Sequence, residues 1–416
     1  MTDLQMNKPN LRFRALDSWR GICALIVALY HFESLGRLYS GHLRSISIIG
    51  NGWLFVDFFF VLSGFVIYYT YSEKLTDRAS ILNFAIRRFG RVWPLHAAIL
   101  FMLIAIELAK LYSARHGAVI ESQPFTEVYA VPSIVTNIAL VQALGLDRIL
   151  TWNIPSWSIS VEFYTYLIFA CSLYCLRWRR AAIPLTFAIA SAIALFSFSS
   201  MEATHGFSLF RCLFGFYIGA AVSIMFPRMD AYLPRSKLRA TTLEICAILA
   251  AIAVVAAART NVAFAAPIVF GFVVIVFARE RGTISGLVTT TPFTFLGERS
   301  YSIYMLHFIV LLTMTRFIKA VSGAYTNAAG AKYITLTDSN IRIVYLGSDI
   351  AADCIVLIFV AALLIASSLT YKFVENPGRK FFNSLAGRLA APARLPVKAA
   401  SNGNAGGHDL VPSHQQ

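Results

Sequence analysis

Long apolar runs recur along the chain, near residues 16–35, 52–72, 94–112, 157–176, 182–198, 207–226, 241–258, 262–278, 300–320 and 348–371. A helix rises 1.5 Å per residue, so roughly 20 apolar residues cross a bilayer core of about 30 Å. Inside lipid the backbone must satisfy its own hydrogen bonds, which restricts such runs to helices or a closed barrel. Runs this long select helices. The expected fold is therefore all-α, a polytopic transmembrane helical bundle of about ten spans. Composition agrees. Only 14% of the 416 residues are charged, against about 25% in a soluble domain, and mean hydropathy is +0.65. That excludes a soluble globule, a disordered chain and a coiled-coil rod.

A net charge of +15 in a soluble protein would suggest nucleic acid. Here it is read as basic loops held on the cytoplasmic side, with membrane lipids and not nucleic acid as partners. One piece, residues 132–146, is too short and too polar to count as a span. If it does not cross, 24 of the 36 Lys and Arg fall on one side of the membrane and seven on the other. If it crosses, every later basic loop changes sides. Both termini are therefore expected in the cytoplasm. No small-residue cleavage site follows the first apolar run, so that helix is expected to be its own insertion signal. Residues 1–14 read as a cytoplasmic segment and 15–382 as the membrane domain. Residues 383–416, rich in Ala, Gly, Pro and Ser toward the end, read as a disordered cytoplasmic tail. The six cysteines show no zinc-type spacing and read as small buried hydrophobes. No metal is implied.

Ionisable residues inside spans are costly, and each is a candidate for function. In the first span Arg20 and His31 lie eleven residues apart. At about 100° per residue they share one face, roughly 16 Å apart along the axis. Asp17, three residues before Arg20, can pair with it. Asp57 lies among four aromatics in the second span, about two turns below the outer surface. Ser63-Gly64 follows as a small patch for close helix approach. Arg88 and Arg91 fall in a basic loop ahead of a span that opens at Pro94. Glu162 falls in the outer third of the fourth span, at a depth like that of Asp57 and His31. Arg211 is a candidate partner for either carboxylate. Ser300, Tyr301 and His307 open the ninth span, and His307 is expected on the cytoplasmic side, about two turns in.

Six segments in order resemble the acyltransferase 3 family of bacterial membrane enzymes. They are Leu-Asp-Ser-Trp-Arg-Gly from Leu16 followed by His31; Asp57 to Phe65; Arg87 to Pro94; Trp157 to Glu162; Gly297 to His307; and Phe373 to Pro377. The resemblance spans about residues 11–382. It implies O-acylation, usually O-acetylation, of cell-surface or exported carbohydrate. The family's Arg-x10-His pattern falls on Arg20 and His31, its Arg-x-x-Arg on Arg88 and Arg91, and its Trp-Ser-x-x-x-Glu on Glu162. No fused SGNH hydrolase-like domain of the kind some relatives carry is expected here, so any such step would need a separate partner.

The expected co-substrate is an acyl-CoA, most simply acetyl-CoA, with no permanently bound cofactor. Arg88 and Arg91 would hold its phosphates. His31 would be the general base for a carbohydrate hydroxyl, oriented by Asp57 or Glu162. Arg20 would hold the donor or stabilise oxyanion charge. Ser63, Ser158 and Ser160 are candidate acyl carriers. The alternatives are a secondary transporter or flippase, since buried charges also mark ion pathways, and a non-catalytic partner in an export complex.

Overall fold

A computed structural model describes residues 12–34, 41–118, 120, 122–229, 231–258, 260–329, 333–335, 342–344 and 349–390. Eleven helices carry the fold: α1 (Arg14–Ser34), α2 (Phe55–Tyr71), α3 (Arg78–Arg115), α4 (Trp157–Cys175), α5 (Ile183–Phe198), α6 (Ser208–Met229), α7 (Lys237–Ala256), α8 (Ala266–Phe277), α9 (Thr291–Ala329), α10 (Asp349–Thr370) and α11 (Asn376–Ala390). A two-stranded antiparallel ribbon, Tyr333–Thr335 with Arg342–Val344, follows α9.

Helices occupy all ten expected stretches. Seven of them, α2, α3, α4, α6, α7, α9 and α10, are long and apolar enough to cross a membrane. The apolar α5 and α8 are shorter, and α1 carries Asp17 and Arg20 in its first two turns. Residues 132–146 form only a seven-residue helix, Pro132–Ile138, and a π turn, Gln142–Leu146. Seven residues rise about 10 Å, a third of a bilayer core.

Two helices start earlier than expected, and both changes matter for the site. α3 begins at Arg78 and runs through Pro94. Asp77 caps it: its carboxylate accepts from Ser80 N–H (2.8 Å), and Ser80 Oγ accepts from Asp77 N–H (3.2 Å). Pro94 removes one helical hydrogen bond without ending the helix, because α11 packs against this stretch. Phe382 covers Gly90, and Gly378 sits on the Pro94 ring. Arg87, Arg88 and Arg91 are therefore helix-borne. α9 begins at Thr291, nine residues before the expected start.

Glycines set the two closest helix pairs. A side-chain carbon at Gly21 would collide with Leu296 and Gly297, and one at Gly297 with Asp17. α1 and α9 thus touch backbone to backbone. In the second pair, Gly64 lies on Phe216 and Gly219 on Val61, joining α2 to α6. The packing expected of Ser63-Gly64 falls to the glycine alone.

The tail departs from expectation. Residues 383–390 continue α11, which packs along α3 with Ala386 fully buried. Phe382, Leu385, Ala386 and Leu389 recur at helical spacing, a short signal masked by the polar sequence after it. Residues 391–416 and the segment before Arg12 lie outside the described residues.

Candidate active site

α1, α2, α3, α4 and α9 enclose a cavity of about 350 Å³. Arg12, just ahead of α1, and Asp17 and Arg20 of its first turns line one end, and Arg12 is 62% exposed there. Val56, Phe60, Ser158 and Ile159 line the deep end, all of them buried. Arg88, Arg91, Glu162, Ser63, Tyr166, Ser300 and Tyr301 form the walls. The two wall arginines stand three apart on α3, which puts them on one helical face. This is a consequence of the early start of α3.

The charges are not equally free. Arg91 pairs with buried Glu375, whose other oxygen accepts from Ser302 Oγ at 2.6 Å. Arg20 lies 3.5 Å from Asp17, which also accepts from Arg12 at 3.3 Å. Arg12 lies outside the spans, and the hydrogen bond to Asp17 holds its guanidinium above the usual range. Arg88 has no carboxylate partner among the described residues. It reaches Tyr71 Oη at 3.3 Å, stacks near Tyr71, Phe84 and Tyr166, and leaves a buried Nε–H without an acceptor. Ser300 Oγ is also buried without a partner. Both groups border the cavity.

Glu162 accepts from Tyr166 Oη, one turn on, and that hydroxyl also meets Ser63 Oγ at 2.7 Å. Ser63 is thereby committed to a hydrogen-bonded network, and so are the other candidate carriers. Ser158 Oγ bonds Tyr304 Oη (2.8 Å), and Ser160 Oγ bonds the Leu140 carbonyl (2.6 Å). Tyr301 donates to the Val92 carbonyl.

Asp57 does not join this group. It is fully buried and takes a forked contact from Arg211, with Nη2 at 2.7 Å and Nε at 3.0 Å. The Arg211 guanidinium lies over the rings of Trp53 (5.1 Å) and Trp157 (5.2 Å). A carboxylate at that depth needs a fixed cation, and α6 supplies one. The expectation that Asp57 or Glu162 orients His31 is therefore corrected. Among the described residues neither carboxylate bonds His31.

His31 meets His307 instead. His31 Nδ1 lies 3.0 Å from the Val27 carbonyl and 3.1 Å from His307 Nε2, with the rings stacked at 4.8 Å. His31 and His307 were expected at different depths; the nine residues of α9 that precede Ser300 bring them level. Gly21 faces Gly297, and ten residues later on each parallel helix His31 faces His307. The histidine pair lies beyond the cavity wall. Tyr304 stands at the boundary: its ring packs edge-on against His307 and Phe59, and its hydroxyl holds Ser158 and the Pro155 carbonyl. Sequence reading assigned no role to Tyr166, Tyr304 or Glu375. Tyr166 carried a signal, four residues from Glu162 on one helix face. Glu375 stands in the Phe373–Pro377 segment, yet its pairing was not readable, because its partner lies 284 residues away.

A family model described as an acyltransferase domain matches residues 13–371. The chain is 25% identical to acyltransferase MdmB of Streptomyces mycarofaciens, over 94% of this chain and 96% of that one. It is 24% identical to peptidoglycan O-acetyltransferase OatA of Listeria monocytogenes, over 88% of this chain and 56% of OatA. A protein of the picA locus of Rhizobium radiobacter is 29% identical over 42% of this chain and 86% of its own length. No solved structure matches.

Proposed function

This chain belongs to the acyltransferase 3 family, and from that premise we propose that it moves an acyl group, most simply acetyl, from acyl-CoA to a hydroxyl of a cell-surface or exported carbohydrate. It is a membrane acyltransferase, so the transporter and the non-catalytic partner are set aside. The observation that carries the donor assignment is Arg88: a cavity-lining guanidinium with no carboxylate partner among the described residues and an unsatisfied Nε–H. Phosphate oxygens meet that need, with Arg20 and Arg91 beside it. The apolar deep end, Val56, Phe60 and Ile159, suits a pantetheine arm and a short acyl chain.

In the proposed topology ten helices span, both termini are cytoplasmic, and the membrane is a bacterial inner membrane. The open end of the cavity then faces the CoA pool, and His31, at the far end of α1, faces the acceptor. The acceptor hydroxyl gives its proton to His31 Nε2 as its oxygen bonds the thioester carbonyl carbon. The carbon–sulfur bond breaks, and the proton passes from His31 to the CoA thiolate. Tyr304 and Phe59 lie between donor cavity and base, so the thioester must pass them. The glycan acceptor is supported by OatA, whose name specifies peptidoglycan.

The test is acceptor-dependent release of free CoA by the protein in nanodiscs, supplied with acetyl-CoA and a panel of glycans. A positioned base contributes about 10²–10⁴-fold. His31→Ala should lose turnover by that factor and still bind acetyl-CoA. Full turnover in the variant would move the base elsewhere. Failure of wild type to bind acetyl-CoA would remove the donor assignment.

A further inference from the structure

We infer that His307 is the positioning residue of the general base: it accepts the Nδ1 proton of His31 in a hydrogen-bonded histidine pair, in the place where many such bases use a carboxylate. This rests on the reading of His31 as the base.

The argument is one of donors and acceptors. The Val27 carbonyl can only accept. It lies 3.0 Å from His31 Nδ1, so that nitrogen carries the hydrogen. His307 Nε2, 3.1 Å from the same atom, must then present a lone pair. The Nδ1–H of His31 is shared between a carbonyl oxygen and an imidazole nitrogen. The single remaining lone pair of His31 is on Nε2, which makes no hydrogen bond among the described residues. That is the atom a substrate hydroxyl requires. Neutral His307 must in turn carry its hydrogen on Nδ1, on the side of the Ile303 and Tyr304 carbonyls, where it finds no well-aligned acceptor.

The surroundings explain why an imidazole is used. His307 is fully buried, and His31 is partly buried. The nearest buried carboxylate on the neighbouring α2, Asp57, is already neutralised by Arg211. A second carboxylate here would need its own cation. A neutral imidazole supplies an acceptor without a charge. It also holds the His31 ring by stacking at 4.8 Å, and its own plane is braced by the Tyr304 edge at 5.6 Å. When His31 takes the hydroxyl proton, the resulting imidazolium has two acceptors on its Nδ1–H. No other proton has to move.

The test is ¹⁵N spectroscopy of histidine-labelled protein in nanodiscs, with His31→Gln and His307→Gln used to assign signals. The expected wild-type result is a protonated Nδ1 and a bare Nε2 on His31, with a through-hydrogen-bond coupling between His31 Nδ1 and His307 Nε2. A His31 proton on Nε2, or no coupling, overturns the inference. Kinetics give a second arm, using acetyl-CoA with a chito-oligosaccharide probe. His307→Leu should lower kcat about tenfold or more with KM for acetyl-CoA unchanged. His307→Gln, whose amide oxygen still accepts, should recover most of it. Wild-type kcat in His307→Leu overturns the inference. Wild-type kcat in His31→Gln, with the coupling present in wild type, overturns the base reading instead.

Discussion

Asp57 and Glu162 are both carboxylates in apolar helices, and their neighbours give them different work. Asp57 is bound on two edges by one arginine with no exposure, whereas Glu162 keeps a place on the cavity wall. Removing one partner of a buried pair costs about 3–5 kcal/mol. Asp57→Asn should therefore lower the unfolding free energy in detergent by that order. A stable Asp57→Asn protein with no turnover would instead return Asp57 to catalysis. At Arg88, a charge-assisted bond to phosphate is worth about 1.5–3 kcal/mol. Arg88→Gln should then weaken acetyl-CoA binding about ten- to a hundredfold by calorimetry. Arg88→Lys should recover little, because an ammonium does not present the planar fork. Equal affinity in all three proteins would empty the donor assignment.

At the scale of the helix, what matters is where each begins and what it lies against. α1 and α9 meet at Gly21 and Gly297, and that contact sets the register in which His31 meets His307. Overpacking typically costs about 1–3 kcal/mol. Gly297→Leu should lower thermal stability on that scale and abolish turnover by separating the histidines. Gly286→Leu, where nothing lies near, should do neither. The cap of α3 supplies a pH test. The Ser80 backbone N–H holds the Asp77 carboxyl below the usual carboxylate range. A group depressed in the folded state stabilises above its unfolded value, about 3.9, and loses that contribution as pH falls through the folded value. Wild type should outlast Asp77→Ala in thermal melts near neutrality, and the gap should narrow on acidification. A gap independent of pH would show that the cap does not depend on the carboxylate's charge.

Across the whole molecule, the cavity and the histidine pair divide the bundle along its axis. Arginines gather toward one end, and His31 and His307 lie beyond Tyr304 toward the other. The proposed topology turns this into a sided reaction, and cysteine labelling tests it. In intact cells a cysteine at His205 should react with an impermeant maleimide. One at Glu73 should react only after permeabilisation. The reverse pattern would put the donor cavity on the wrong side for cytoplasmic CoA.

The apolar runs alone determined that the chain is a helical membrane bundle, because length and hydropathy are local properties and lipid leaves the backbone few options. The Arg20–His31 spacing was legible for the same reason: helix periodicity carries it along one segment. Arg88 and Arg91 were legible as phosphate candidates by residue type, yet not as one helix face, since Pro94 reads as a helix start and only packing by α11 carries α3 through it. The pairing of Asp57 with Arg211, of Arg91 with Glu375 and of His31 with His307 was decided by tertiary structure. Each joins helices 154 residues or more apart. A buried charge or imidazole states in the sequence that it needs a partner. Which partner it finds depends on helix register, and register is set by close packing at glycines elsewhere on the same helices.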